Sequence, residues 1–548
     1  MMKKKLVIAG SVVLVVGMLG FAPPADRYFE IAKNVEIFAD VFKDVNDLYV
    51  DEINPNKLMR TGIDAMLNSL DPYTNFISED EVEDYKTLHT GEYGGIGAMT
   101  TEFNHRTVVT MIFKGYPAFE HGLKIGDEIV KVNGQEIYRL SEEEIKQLMS
   151  GQEGTLIKLA VKRFGSDHLI DLEFKRETIK RSNVPYFGMV TKDVGYLQLT
   201  EFTREAAKEV KKGVVSLREQ GAKCIILDLR GNPGGLLDEA VNVCNIFLAK
   251  GKKVVTVKGR TQEKYINETL NPPVDTEIPL AVLIDRGSAS ASEIVAGTIQ
   301  DYDRGIIIGE KSFGKGLVQA SKPLTYNSQV KITIAKYYTP TDRCIQVLDY
   351  SHRREDGTVG TVPDSLKKEF KTTHGRLVYD IGGIDPDIKV PSDEASMITR
   401  IVYSNGYIYD YASRYAFEHP SISPAKTFGL TDQEYLEFVN WMKDKSYTYR
   451  SSVETQLGAL TDVAKKERYY MDLKTQLDQI SSHLSDSRKN DMIAFKDQIK
   501  LLLEKEIASR YYFERGAVEV GFKYDEAVNK AVETLSNLPF YRKTLNLP

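Results

Sequence analysis

The chain contains few of the residues that mark special protein classes. Its three cysteines, Cys224, Cys244 and Cys344, cannot form a disulfide scaffold in 548 residues. No pair of them has metal-ligand spacing, so we expect buried free thiols. Acidic residues only slightly outnumber basic ones, 78 against 72, so nucleic acid is not expected as the main partner. Hydrophobic residues at 42% and charged residues at 27% exclude a disordered chain and a multi-span membrane protein.

One long apolar run lies at the N-terminus. Lys3–Lys5 precede about 17 apolar or weakly polar residues, Leu6–Ala22, slightly fewer than the roughly 20 that span a bilayer as a helix. We therefore predict that residues 1–25 are a signal peptide or an N-terminal membrane anchor. The rest of the chain is then expected to be exported to the far side of the inner membrane. Pro23 is unfavourable beside a cleavage site, so removal and retention of this segment both stay open.

Four further regions differ in apolar spacing and glycine content. Helical spacing predicts an N-terminal helical region over residues 26–85, and glycines with short β runs predict a β-rich domain over residues 86–178. Alternating β runs and helical stretches predict an α/β core over residues 179–394. Long amphipathic patterns predict an all-helical region over residues 395–548. The predicted core strands are Val194–Leu199, Cys224–Leu229, Leu280–Asp285 and Gly305–Gly309.

The β-rich domain resembles a PDZ domain. Residues Gly122–Gly134 read GLKIGDEIVKVNG, and the upstream residues Gly94, Gly95, Ile96 and Gly97 match the PDZ loop that binds a peptide carboxylate. Glycines let backbone N–H groups converge on an anion, and a following edge strand can pair with a peptide. The alternative is that these glycines only form turns in a small β domain.

A predicted helix would complete the peptide groove. It covers Leu140 to Met149 and would form the wall opposite the edge strand. A PDZ domain implies binding to protein C-terminal tails rather than a reaction. The partners implied are therefore protein or peptide substrates with exposed, apolar C-termini.

A lysine segment partly matches a nucleotide-binding loop. Residues Gly309–Lys315 fit the pattern G-x-x-x-x-G-K after an apolar β run. The next residue is Gly316, however, where that loop needs serine or threonine for magnesium. The following stretch, Leu317–Leu324, contains proline and shows no helix start. A nucleotide triphosphatase is therefore not expected.

Three segments that follow apolar strands favour nucleophilic catalysis instead. They are Asp228–Gly235, Asp285–Ile294 and Gly309–Gln319. A serine at a strand-to-helix turn can present its hydroxyl to a cleft, where backbone N–H groups stabilise an oxyanion. No histidine lies in these segments, and the pattern G-x-S-x-G is absent. A neutral lysine is the remaining base for such a serine, as in a Ser-Lys dyad.

The flanking residues favour one lysine but do not choose the serine. Lowering a lysine pKa from near 10.4 to roughly 7–8 requires about 3–4 kcal/mol of desolvation and positioning. Lys315 lies between two glycines that let backbone crowd around its amine, whereas nothing comparable flanks Lys311. Chemistry alone does not decide among Ser288, Ser290 and Ser292.

The complete pattern resembles the C-terminal processing, or tail-specific, proteases. These are serine peptidases with a PDZ domain and a Ser-Lys dyad, and their signatures occur here in family order over about residues 30–390. The resemblance implies a protease core of the crotonase/ClpP-like α/β type with an inserted PDZ domain. The matching signatures are DPYT (Asp71–Thr74), GLKIGDEIVKVNG, DLRGNPGG, SASASEI, FGKGLVQ, YYTPTDRCIQ (Tyr337–Gln346) and GGIDPD (Gly382–Asp387).

The resemblance also implies residue roles. Ser290 corresponds to the nucleophile, Lys315 to the general base, and Gln319 to the glutamine that positions the lysine. The oxyanion-hole donors correspond to the Ala291 N–H and to one glycine of the Gly234 and Gly235 pair, with the choice between these glycines open. The family needs no metal or other cofactor, and none is expected here.

The sequence departs from the shorter family members in two places. A charged insert, residues 347–381, has an open role as a lid, a partner surface or a loop. The helical region after residue 395 is expected to pack on the protease, to self-associate or to hold an adaptor or substrate.

The predicted function is that of a serine endopeptidase of the bacterial cell envelope, on the periplasmic side. The enzyme would recognise protein C-terminal tails through its PDZ domain. The rival interpretation is a non-catalytic PDZ scaffold built on a degenerate protease core.

Overall fold

A computed structural model describes residues 25–261, 263–353, 359–392, 394–488 and 490–548. The predicted signal or anchor segment lies outside the described residues except for Ala25. Among the helices of the described residues, none is both long and apolar enough to span a bilayer. Chain contacts divide the protein into two compact units. One unit comprises the described residues up to Glu79 together with Ala320–Thr333, and the other comprises the described residues of Asp80–Gln319 and Ile334–Pro548.

The first unit contains the predicted N-terminal helices. Helices α1 (Ala25–Leu48) and α2 (Pro55–Asn68) precede strand β1 (Asn75–Ile77). The Asn54 side chain caps α2 by accepting the Lys57 N–H at 3.1 Å, which satisfies a donor that the helix start leaves unpaired. Strand β1 pairs with residues 329–331, so a segment within the predicted protease core groups with this unit.

The second unit begins with the β-rich domain. A five-stranded antiparallel path has the order β3-β4-β5-β7-β8, with β6 added to β5, while β2 pairs with β9. Helix α5 begins at a capping box formed by Ser141 and Glu144. The elements of the β-rich domain and of the helix before it are α3 (Val82–Thr90), β2 (Glu92–Gly95), β3 (Ala98–Phe103), β4 (Arg106–Ile112), α4 (Pro117–Glu120), β5 (Glu128–Val132), β6 (Gln135–Glu136), α5 (Glu142–Met149), β7 (Leu156–Lys162), β8 (Ile170–Lys175) and β9 (Glu177–Lys180).

The α/β core follows, and the four strands predicted within it agree with the structure to within one residue at each end. Apolar strands such as β15 are buried throughout, as expected where helices cover both faces of a parallel sheet. Its first elements are β10 (Tyr186–Met189), β11 (Val194–Gln198), α6 (Ala206–Glu219), β12 (Cys224–Asp228), α7 (Leu237–Phe247), β13 (Lys253–Gly259), β14 (Tyr265–Glu268), β15 (Leu280–Ile284), α8 (Ala291–Asp301), β16 (Ile306–Gly309), β17 (Leu317–Pro323) and β18 (Gln329–Tyr338).

The insert forms two short hairpins, β19 with β20 and β21 with β22. Its residues 354–358 lie outside the described residues. The second hairpin is fixed to the C-terminal end of α8, because buried Asp303 accepts from the Arg376 Nε at 2.6 Å and from the His374 N–H at the same distance. The elements are β19 (Leu348–Arg353), β20 (Val359–Thr361), β21 (Glu369–Lys371), β22 (Leu377–Tyr379) and the core strand β23 (Ile388–Lys389).

The sheet with the strand order β10-β11-β12-β15-β16-β23 carries the loops that contain the candidate site residues. Its strands are parallel except β10, which pairs antiparallel with β11. One face packs against α6, α7 and α8 through Leu197, Leu227 and Val282. Neighbouring residues on the same strands, such as Tyr196 and Ile226, point to the other face.

That other face is covered by the predicted helical tail. Val528 and Leu535 of its penultimate helix and Tyr541 of its last helix pack there. The tail elements are α9 (Met397–Ser404), α10 (Tyr407–Glu418), α11 (Asp432–Met442), α12 (Ser452–Lys466), α13 (Tyr470–Arg488), α14 (Asp491–Ala494), α15 (Lys496–Gly521), α16 (Glu526–Ser536) and α17 (Leu538–Thr544). The all-helical tail is thus confirmed, and it packs directly on the protease core.

The same tail contacts the PDZ-like domain. Arg106 of β4 forms two hydrogen bonds with the Asp410 carboxylate, at 3.1 and 3.0 Å. Helix α15 is kinked at Phe513 (φ 59°, ψ −152°), and the Phe513 ring packs edge-on against Phe119 with centroids 5.7 Å apart. The tail therefore connects the two domains that the sequence predicts to bind and to cut.

Candidate active site

The three serines before α8 have different environments. Ser288 and Ser292 are fully buried, and their hydroxyls donate to the carbonyl oxygens of Leu229 at 2.8 Å and Asn232 at 2.9 Å. Ser290 is half-buried. The outer two serines therefore hold the turn together, and the middle one has the exposure that a nucleophile needs.

Ser290 also has an unusual backbone conformation. It is the residue before α8, with φ 54° and ψ −111°, a region that costs a residue with a Cβ about 1–3 kcal/mol and that is common at functional sites. Asp285 braces this turn, because its Oδ1 accepts from the N–H groups of Gly287 at 2.9 Å and Ser288 at 3.1 Å. The hydroxyl of Ser290 thus lies at the positive end of a helix.

The glycine loop lies against this turn. A Cβ on Gly234 would stand 2.8 Å from the Ser290 Cβ and 2.9 Å from the Ala291 nitrogen, so only glycine fits. The Gly234 N–H is already used, since it donates to the Asn232 Oδ1 at 2.8 Å. Among the described residues, neither the Gly235 N–H nor the Ala291 N–H has a protein acceptor.

The direction of the Gly235 N–H follows from its pairing. Phe202 donates to the Gly234 oxygen at 3.0 Å and accepts from the Leu236 N–H at 2.8 Å. In such a parallel bridge the N–H of the intervening residue points away from the partner. Gly235 therefore directs its N–H away from Phe202.

A buried carboxylate joins the serine turn to the lysine loop. Glu293 is fully buried, and its Oε2 accepts from the Ser290 N–H at 2.8 Å and the Lys315 N–H at 2.9 Å. Its Oε1 accepts from the Ser312 hydroxyl at 2.6 Å and the Gly314 N–H at 2.7 Å. Burial raises the pKa of Glu293 to about 7, although these four hydrogen bonds lower it. The structure thus brings the backbones of Ser290 and Lys315 together on one oxygen.

A buried phenol contacts the same two residues. Tyr337 of β18 is 1% exposed, and its hydroxyl donates to the Lys315 carbonyl at 2.7 Å and lies 3.2 Å from the Ser290 carbonyl. Burial raises the pKa of Tyr337 well above its usual value of 10.0, and the Glu293 charge raises it further. The phenol therefore stays protonated as a donor.

The lysine segment forms a loop before strand β17, and no helix follows it, as its sequence predicts. Lys315 is half-buried between Gly314 and β17, and Gln319 lies half-buried on β17. The absence of a helix here agrees with the exclusion of a nucleotide-binding loop. The competing Lys311 forms an ion pair with Asp385 at 3.5 Å.

The residues predicted to bind a peptide carboxylate lie at the end of β2 and in the turn that follows it. Gly94 and Gly95 end β2, Gly97 has φ 79°, and Ile96 is buried. Among the described residues, the next strand, β3, pairs in its sheet with β4 alone, so one of its edges is open there. The predicted helix, Leu140 to Met149, is α5, which begins two residues later than predicted. An open edge beside a glycine loop suits the addition of a peptide strand.

Three residues that support this site have no role predicted from the sequence. Glu293 and Tyr337 lie inside the quoted signatures, and the spacing Ser290-x-x-Glu293 is a capping-box pattern that could have drawn attention to Glu293. Asp525 lies in the tail, where no residue suggested chemistry. It pairs with Arg230 at 3.0 and 2.7 Å, next to the glycine loop.

The thiols differ in part from expectation. Cys224 and Cys244 are buried, as predicted, but Cys344 is only half-buried. Burial raises the pKa of Cys244 to about 12, so this thiol is unreactive. Among the described residues no group of three or more metal-ligating side chains occurs.

Three regions of the chain match models of known protein families. The model for Peptidase family S41 matches residues 193–350, and the PDZ domain model matches residues 94–174. A third model, Probable PDZ-protease, C-terminal helical domain, matches residues 398–535. The three matches fall on the α/β core, the β-rich domain and the helical tail.

Curated relatives match across these regions. A Carboxy-terminal-processing protease of Bartonella bacilliformis is 38% identical over 319 residues, which cover 57% of this chain and 73% of that protein. A Probable CtpA-like serine protease of Staphylococcus aureus is 37% identical over 360 residues, 65% of this chain and 70% of the relative. The chain belongs to the carboxy-terminal processing proteases. It is therefore a serine-type peptidase.

For a further member of this family, the aligned region covers a smaller share of the relative than in the two proteins above. The Carboxy-terminal processing protease CtpA of Bacillus subtilis is 35% identical over 299 residues, 54% of this chain and 64% of that protein. The helical tail is matched by a family model of its own, which agrees with its position outside the shared signatures.

Proposed function

We propose that this carboxy-terminal processing protease cleaves peptide bonds with a Ser290–Lys315 dyad. The observation that carries the proposal is that Glu293 binds the backbone N–H of both residues through one oxygen, at 2.8 and 2.9 Å. The half-buried Ser290, in its strained conformation at the start of α8, supports the choice of nucleophile over Ser288 and Ser292, whose hydroxyls are buried.

The reaction follows from these positions. The neutral Lys315 amine accepts the Ser290 hydroxyl proton as the Oγ attacks the scissile carbonyl, and then returns it to the leaving amine. Water hydrolyses the resulting acyl-enzyme with the same lysine as base. Gln319 is proposed to orient the lysine amine from β17.

We assign the oxyanion hole to the N–H groups of Ala291 and Gly235. Gly234 is less suitable, because its N–H donates to Asn232. Gly234 instead provides the close approach, since any side chain there would meet Ser290 and Ala291. Loss of one such donor typically costs about 2.7–4 kcal/mol of transition-state stabilisation.

The PDZ domain is proposed to select substrates by their C-termini. Gly94, Gly95, Ile96 and Gly97 would bind the terminal carboxylate, while β3 pairs with the tail along its open edge. The lysines and apolar run of residues 1–25 support a location in the bacterial cell envelope, on the periplasmic side. Self-association and adaptor binding through the tail helices stay predictions.

The test uses one unstructured peptide with an apolar C-terminus, made as the free acid and as the amide. We expect wild type to cut the free acid faster, and Ser290→Ala and Lys315→Ala to be inactive but folded, with products identified by mass. Activity in Ser290→Ala would refute the nucleophile, and equal rates on both peptides would refute carboxylate recognition. Wild type that stays inactive even with envelope extract would favour the scaffold interpretation.

A further inference from the structure

The backbone of the catalytic pair is held on both its donor and its acceptor sides. Glu293 Oε2 accepts the N–H of Ser290 and of Lys315. The Tyr337 hydroxyl contacts the carbonyl oxygen of the same two residues, at 3.2 and 2.7 Å. One carboxylate and one phenol thus bind four backbone groups of two residues that are 25 positions apart in sequence.

The phenol is placed by a third chain segment. Tyr337 belongs to β18, and its own N–H donates to the Gly316 carbonyl at 3.0 Å. The side chain therefore reaches back over the lysine loop from β18, which pairs with β17, the strand that follows this loop. Because the ring is 1% exposed, a phenylalanine would fill the same space. The hydroxyl is retained in a site where its only protein acceptors among the described residues are these two carbonyls.

The catalytic pair needs such a constraint. Ser290 is held at positive φ, and the lysine lies in a glycine-flanked loop, so neither backbone is fixed by regular secondary structure. Reacting groups displaced by about 1 Å can lose on the order of 100-fold in rate. Contacts that bind both residues at once fix their relative position, whereas separate contacts would fix each residue only against its own surroundings.

We infer that Tyr337 is a positioning residue whose hydroxyl, opposite Glu293, sets the register between Ser290 and Lys315. The inference rests on the proposed function and adds a residue to it. The hydroxyl touches no substrate and transfers no proton in the reaction. It acts through the two backbone carbonyls.

The test compares Tyr337→Phe with Tyr338→Phe in the full-length protein. Tyr338 is the next residue of β18 and is half-buried, so the control removes the same atom from the same strand. We expect Tyr337→Phe to lower kcat about 10- to 100-fold with KM changed less than about twofold, and to shift the pH at which kcat is half-maximal, because the lysine amine is displaced. We expect Tyr338→Phe to match wild type in all three.

A purely structural role predicts a different result. The melting temperature would then fall while kcat per folded molecule and its pH profile stayed at wild-type values, and this result would overturn the inference. Equal losses in both variants would overturn it as well.

A double variant tests whether both side chains act on the same pair. If Glu293 and Tyr337 hold one register, the loss in Glu293→Gln/Tyr337→Phe will be smaller than the product of the two single losses. Multiplicative losses would mean that the side chains act independently and would refute the shared role.

Ser290→Ala separates this inference from the proposed function. If Ser290→Ala is inactive and Tyr337→Phe keeps wild-type kcat, only the positioning role fails. If Ser290→Ala still cuts, or wild type cuts nothing with or without envelope extract, the proposed function fails and the inference fails with it.

Discussion

The two faces of the central sheet are covered by helices of different origin. Helices α6, α7 and α8 cover one face and come from the core, alternating with its strands. Helices α16 and α17 cover the other face and come from the end of the chain, about 140 residues after the last core strand. The first face carries the proposed nucleophile, Ser290, at the start of α8. The second carries none of the proposed catalytic residues.

The difference shows how the family core and the tail divide their tasks. The tail buries apolar side chains as deeply as the core helices do, since Val528 and Leu535 are at most 1% exposed. Its Asp525 also pairs with Arg230, beside the glycine loop that approaches Ser290. The tail is thus part of the folded protease, although it adds no group to the reaction.

The largest expected effect comes from the catalytic face. Ser290→Ala should reduce kcat by on the order of 10⁴- to 10⁶-fold, because the nucleophile is lost, without lowering the melting temperature. Ser292→Ala provides the contrast, since it removes one buried hydrogen bond to the Asn232 carbonyl, which still accepts from the Ala289 N–H at 3.0 Å, and should destabilise the fold by about 0.5–1.5 kcal/mol. Peptide hydrolysis and thermal melting separate the two. A destabilised Ser290→Ala would contradict the assignment.

The second prediction concerns the face of the sheet that helices α16 and α17 cover, which we expect to be a hydrophobic core as stabilising as the other face. Leu535→Ala in α16 and Leu197→Ala in β11 both truncate leucines that are at most 1% exposed. Each should cost about 2–5 kcal/mol of unfolding free energy, measured by denaturant titration. If only Leu197→Ala destabilised the protein, the tail helices would not contribute to the stability of the core, and the two faces of the sheet would not be equivalent in packing.

The third prediction concerns pH. Burial raises the pKa of Glu293 from 4.5 to about 7, so the fold favours the protonated carboxyl. The stabilisation of the fold by the protonated Glu293 carboxyl is complete below about pH 4.5. It is lost as the pH rises toward 7, by on the order of 3 kcal/mol of unfolding free energy. Relative to Glu293→Gln, which does not titrate there, wild type should lose stability between pH 4.5 and 7. A constant difference between the two proteins would contradict the raised pKa.

The smallest effect should come from the ion pair between tail and core. Burial alone would raise the pKa of Asp525, but Arg230 lowers it below 3.8, which indicates a favourable pair. Asp525→Asn keeps the helix cap and removes the charge, so we expect a loss of about 1–2 kcal/mol and a several-fold lower kcat. Glu526→Gln removes an exposed neighbouring charge and should change neither. Equal behaviour of the two variants would exclude a role for the pair.

Much of this could be predicted from local sequence. Four of the parallel strands are runs of apolar residues bounded by turn residues, and the sequence predicts each of them to within one residue at its ends, whereas the short strand β23 is not predicted. The open choice among three serines had a local cause, because all three hydroxyls are chemically alike. Burial and a strained backbone conformation distinguish Ser290 from Ser288 and Ser292, and the burial of the outer two depends on where Leu229 and Asn232 lie.

The sequence by itself determined the family, the order of the domains and the helical nature of the tail, because motif spacing and apolar periodicity are properties of neighbouring residues. The tertiary structure decided which face of the sheet the tail covers, which glycine keeps its N–H available, and which side chains hold Ser290 against Lys315. Glu293 lies 22 positions before Lys315, and Tyr337 lies 22 positions after it. Their contacts exist only after the strands are placed side by side, since hydrogen bonds depend on distance in space and not on distance along the chain.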